Sequence, residues 1–87
     1  MTNDFIELKP LTPQPDPHTW ECSVFNPVYT EGVSVFIRKS SILHFVSFPN
    51  ARRHDGWHAS VVYFNGFKVN EKIFVYDTAR EIMEKLK

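Results

Sequence analysis

The sequence predicts a small α+β domain: an antiparallel sheet, or a partly open β-barrel, of about five strands with one C-terminal helix. Three observations predict it. From residue 20 onward, short runs rich in Val, Ile, Phe and Tyr alternate with turn residues at the spacing of antiparallel strands. The only helical periodicity that carries a start signal lies at residues 78–87. And 87 residues bury only about 60–65% of the surface of the unfolded chain, too little for a doubly wound nucleotide-binding fold, an α/β barrel or several domains.

Residues 4–9 have the makings of one short strand, but they lead into Pro10, Pro13, Pro15 and Pro17, which remove backbone donors and forbid helix. Residues 1–19 are therefore expected to be an extended, proline-rich segment that wraps a single sheet-plus-helix domain of residues 20–87. Within that domain, residues 20–25 read as a strand ended by Asn26 and Pro27. Glu31 and Gly32 turn into a strand at 33–38, and Lys39, Ser40 and Ser41 turn again into 42–48, which Pro49 stops. Residues 57–64 form the next strand. Asn65-Gly66 is the strongest hairpin signal in the chain, returning as a strand over 67–76 that is bulged or broken near Asn70 and Glu71. Thr78 with Glu81 makes a capping box, and Ala79, Ile82, Met83 and Leu86 recur at helical spacing as one apolar stripe. Lys85 and Lys87 complement the negative end of the helix dipole.

Ten basic residues cancel ten acidic ones, so no global field draws the chain to nucleic acid or an acidic membrane. Locally the balance is uneven. Asp4, Glu7, Asp16, Glu21 and Glu31 face Lys9 alone in residues 1–31, whereas Arg38, Lys39, Arg52, Arg53 and Lys68 face Asp55 alone in 32–68. Such asymmetry arises when the acidic segment folds over the basic one, or when the basic one forms a polar interface. One cysteine, Cys22, permits no internal disulfide, which fits a reducing cytoplasm. The N-terminus lacks the basic start and apolar core of an export signal, and no run of 18 apolar residues offers a membrane span.

Alternation splits the strands into an aliphatic set (Val33, Val35, Ile37, Ile42, Val46, Val61, Ile73, Val75) and an aromatic one (Phe36, Leu43, Phe45, Val62, Phe64, Phe74, Tyr76). A one-residue slip exchanges the two. Several strands are apolar on both sides, so the sheet needs two covers, of which the helix supplies one. The other is expected from the curl of a barrel and the N-terminal segment; the alternative is an intermolecular cover, a second copy of the chain or a partner.

Residues 50–58 carry the densest chemistry, with Arg52, Arg53, His54, Asp55, Trp57 and His58 around one turn. Arg and Trp are favoured anchors of protein interfaces, and the same types read phosphates and bases. A solvated hairpin loop is the plain alternative. His54, Asp55 and His58 form only part of a zinc set, with His18, Cys22 and His44 needed from elsewhere, so no metal or other cofactor is expected. No spacing marks Cys22, His44, Ser60 or the Asp55–His58 pair as a catalytic constellation. Three glycines are too few for a phosphate-cradling loop, and an enzyme is not expected.

Residues 35–86 carry an Ile-Leu-His-Phe-Val strand at 42–46, a second strand ending in Asn65 and Gly66, a third at 73–75, and Asp77 and Thr78 capping a helix at 79–86. In this order of elements the chain resembles the small FlbD-like flagellar and swarming-motility proteins. It departs from them by its added N-terminal third, its longer basic loop at 50–56 and extra residues between Gly66 and Ile73. The resemblance implies the sheet-then-helix order and carries no catalytic motif or motility role to this chain.

The expected function is a non-enzymatic protein-interaction module, an accessory or inhibitory factor. Its partner surface is assigned to Arg52, Arg53, His54 and Trp57 in the loop and to Arg38, Phe36, Phe45 and Phe64 on the aromatic face. Small neutral cytoplasmic proteins of this kind include phage or mobile-element products that block a host or defence protein. The alternative is a small barrel binding single-stranded nucleic acid through Arg38, Arg52, Arg53, Trp57 and Lys68. Net neutrality weighs against it.

Overall fold

The computed structural model describes residues 4–16, 18 and 22–87. They form an α+β domain of two small antiparallel sheets and one C-terminal helix, without a closed barrel. β1 (Phe5–Leu8) pairs with β2 (Val35–Arg38), and a 3-10 turn at Lys39–Ser41 leads into β3 (Ile42–Arg52). β3, β4 (His58–Phe64) and β5 (Glu71–Val75) follow as a meander, and α1 (Ala79–Leu86) ends the chain. No helix among the described residues is long and apolar enough to cross a membrane.

The N-terminal segment stitches the two sheets together. β1 pairs with β2, and the chain then continues along the free edge of β5: the Tyr76 amide donates to the Lys9 carbonyl at 2.7 Å and the Leu11 amide to the Phe74 carbonyl at 2.9 Å. Gln14 adds a side-chain clamp, accepting from the Phe74 amide at 3.0 Å. Ile6, Leu8 and Leu11 of this segment are buried and join the core, while Asp4, Phe5, Glu7 and Lys9 are exposed. Proline blocked helix here as expected. It did not block burial, because Pro10 sits where β5 needs no donor from it.

Both faces of the three-stranded sheet are covered. On one, Val62, Val75 and Ile82 pack with Ile6, Leu8 and Ile37 from the β1–β2 ribbon. On the other, Val61, Phe74, Phe48, Ala51 and Ala59 pack with Leu11 and Phe25. The register mixes the two sets read from alternation: Val62 pairs with Ile73 and Phe45, while Val61 pairs with Phe74 and Val46. The mixing arises where β4 meets β5: their regular register sets residues of opposite alternation across from one another, a one-residue offset that alternation within each strand does not reveal.

Other boundaries moved for local reasons. Residues 22–25 form no strand beyond a single parallel bridge from Phe25 to Ala51, and Trp20 and Glu21 of that expected strand lie outside the described residues. The Asn65-Gly66 signal opens a loop rather than a two-residue turn. The Asn65 side chain accepts from the Asn70 amide at 3.3 Å, Asn70 takes φ +62°, and β5 begins only at Glu71. A Cβ on Gly66 would meet the Glu71 carboxylate, the far end of a flexible side chain that can swing aside. The capping box of α1 is present, with Thr78 Oγ1 accepting from the Glu81 amide (3.1 Å) and Glu81 Oε1 from the Thr78 amide (2.8 Å). Its stripe is narrower than expected: Ile82 is buried and Leu86 packs on the core, but Met83 is 55% exposed. An eight-residue helix on the end of a narrow ribbon meets it along a single line.

Candidate functional site: the β3–β4 hairpin tip

Residues 53–57 connect β3 to β4 as a tight loop closed by the Arg53 amide on the Trp57 carbonyl at 2.7 Å. Gly56, at φ +90°, donates to the Arg53 carbonyl at 3.0 Å, a backbone conformation that glycine adopts without a Cβ penalty. Asp55 finishes the turn by accepting from the Trp57 amide through Oδ1 at 3.1 Å and from Arg53 Nη2 through Oδ2 at 2.7 Å. The Trp57 backbone is therefore fixed at both ends while 53% of the residue stays exposed.

Arg53 is the hub that anchors this tip. Its Nη1 donates to the Tyr76 carbonyl at 3.1 Å and to Glu81 Oε1 at 3.0 Å, and its guanidinium lies 4.3 Å from the centroid of the Tyr76 ring. One side chain thus joins the hairpin, the end of β5 and the first turn of α1. With only 11% of that side chain exposed, Arg53 is committed to the fold and does not belong to an open contact surface. Arg52 and Arg53, expected to share one contact surface, therefore separate: consecutive residues of extended chain point to opposite sides, and Arg52 is the exposed one.

The charges are tuned by the same contacts. The Glu81 carboxyl is held below its ordinary range chiefly by the Thr78 amide, against a desolvation cost, with further help from Arg53. For Asp55, desolvation is outweighed by the Trp57 amide and the Arg53 guanidinium, and the result is again a lowered value. Desolvation opposes charge on Arg53, yet Glu81 and Asp55 together raise its affinity for the proton. Beside this network, the Arg80 guanidinium lies 5.7 Å from the Trp57 ring centroid, and His54 Nδ1 is 3.2 Å from the Tyr76 hydroxyl. A shallow cleft of about 260 Å³ runs between Trp57, Arg80 and Thr78.

Arg80 was missed by sequence reasoning. One signal for it existed: a cation in the first turn of a helix opposes the macrodipole, an unfavourable position unless something else employs it.

The remaining assigned residues do not converge on the tip. Phe36 and Arg38 lie on the outer side of the β1–β2 ribbon, 62% exposed in the case of Phe36. Phe45 and Phe64 are half-buried and pack against the core, so they do not form one aromatic face with Phe36. Lys68 sits in the 65–70 loop, at the opposite end of β4 from Trp57. Among the described residues, the ion pairs tie Arg53 to Asp55 and Glu81, Lys85 to Asp77 and Lys87 to Glu84, rather than joining the acidic N-terminal segment to the basic middle. No group of three or more metal-ligating side chains comes together among them.

No protein-family model, curated protein or solved structure matches the chain. The site is accordingly interpreted from its own geometry.

Proposed function

We propose that the chain acts by binding another protein through the β3–β4 hairpin tip, as an accessory or inhibitory factor with no chemistry of its own. The observation that carries this reading is the presentation of Trp57: its ring is half exposed while its backbone is fixed by Arg53 and Asp55. A large ring held in place before contact loses little freedom on binding, which is what an interface anchor requires. Arg52 is exposed and Arg80 flanks the ring, whereas Asp55 is engaged with Arg53, so the tip favours an acidic, partly apolar partner surface.

The nucleic-acid alternative needs a continuous cationic track. Of its five residues, Arg53 is ion-paired and Lys68 is at the far end of β4, which weakens that alternative. Affinity capture with the immobilised chain, run with and without nuclease, tests the choice. A captured protein that survives nuclease and is lost from W57S supports the proposal. Capture that disappears with nuclease, or that W57S leaves unchanged, refutes it.

A further inference from the structure

The outer face of the β1–β2 ribbon carries four residues in a rectangular array. Phe5 lies opposite Arg38, and Glu7 opposite Phe36. Their neighbours Ile6, Leu8 and Ile37 point inward and are buried. The two aromatic rings thus occupy one diagonal and the two opposite charges the other. Phe5 is 41% and Phe36 62% exposed, a high value for adjacent rings on a small domain.

Among the described residues neither charge has an ionic partner. Glu7 accepts from the Ser34 hydroxyl at 2.6 Å, and the Arg38 guanidinium lies 5.2 Å from the Phe5 ring centroid.

We infer that this face is a self-complementary interface for a second copy of the chain. A two-fold axis lying in the face, along the Phe5–Phe36 diagonal, sets Phe5 on Phe5 and Phe36 on Phe36 of the partner. The same rotation carries Glu7 onto the partner subunit's Arg38 and Arg38 onto the partner subunit's Glu7. Such isologous reciprocity is the hallmark of two-fold contacts. Alternate residues are about 7 Å apart along a strand and strands about 5 Å apart, so the array is a rectangle, the two ribbons cross steeply, and each Glu7 comes close to the position of the partner subunit's Arg38, within reach of the two long side chains. An axis along the Glu7–Arg38 diagonal also sets ring on ring but faces like charges, and in-plane axes parallel or perpendicular to the strands place each ring on a charge, so only the Phe5–Phe36 diagonal satisfies rings and charges together. Four residues per copy make a small interface, so the association is weak and reversible.

Charge exchange tests it. Sedimentation velocity from about 10 µM to about 1 mM, a range suited to weak association, is expected to show a monomer–dimer equilibrium for the natural chain. E7R sets two cations against each other across the axis, and R38E two anions; each alone is expected to weaken dimerisation by roughly tenfold or more. Mixing E7R with R38E restores both ion pairs in a heterodimer, and the double exchange E7R/R38E restores them in a homodimer. F36S, which leaves the charges alone, is expected to weaken the dimer as well. The inference is overturned by a monomer at every concentration, by a dimer indifferent to single reversals, by mixing that restores nothing, or by a ribbon face that binds a single-stranded oligonucleotide through Phe36 and Arg38 without self-association.

Discussion

At the scale of single residues, neighbouring arginines have opposite roles. Arg53 holds three elements together through charged hydrogen bonds, whereas Arg52 is exposed beside it. R53A is expected to lower unfolding stability by about 1.5–3 kcal/mol, the range for hydrogen bonds to charged groups. R52A should change it by less than about 0.5 kcal/mol, as exposed substitutions do. Urea titration of the two variants beside the natural chain measures both. Acid dependence follows from the same network. Glu81 has a folded value lowered from about 4.5, so its contribution is complete above that value and fades as pH falls through the lower folded value. Thermal midpoints between about pH 6 and pH 3 should therefore drop, and drop less in E81Q, whose amide keeps part of the capping box but does not ionise. Ser60 provides a contrast. Its hydroxyl is buried without a hydrogen-bond partner, so S60A is expected to stabilise the chain by about 1 kcal/mol, read as a raised urea midpoint.

Whole elements were legible where a local signal coincided with a local cause. The capping box, the Lys39–Ser41 turn and the strand ending at Phe64 depend on neighbours in sequence, and the structure has all three. Legibility failed where the cause was distant. Nothing local shows that β3 continues past Pro49 to Arg52, because that extension is supported by Phe25, whose amide donates to the Asn50 carbonyl at 2.9 Å. The exposure of Met83 likewise depends on distant partners, since β1, β3 and β4 meet the helix and its packing on the core runs through Ile82 and Leu86. I82A should cost about 2–4 kcal/mol, as for a buried core residue, while M83A, on an exposed position, should cost less than about 0.5 kcal/mol. Chemical denaturation of this pair distinguishes the observed single line of contact from the broader stripe read from periodicity.

For the molecule as a whole, the N-terminal segment is what makes two small sheets into one domain. Leu8 and Leu11, from one continuous stretch, enter the two separate core clusters. Residue types announced a wrap; only the tertiary partners reveal that Leu8 and Leu11 within it are core. The hairpin tip was legible as a cluster of unusual composition, but not its division of labour, because Arg53 finds Glu81 and Tyr76 more than twenty residues away. The outcome is a tip braced from behind that leaves the Trp57 ring exposed with Arg80 beside it, and Arg52 exposed at the end of β3. Capture of a nuclease-resistant partner by immobilised variants tests this most directly, with urea midpoints measured alongside. Partner binding should persist in R38E and be lost in W57S and in R52A/R80A while their midpoints stay near that of the natural chain. Binding that survives both tip variants, or that disappears only in step with lost stability, would contradict it.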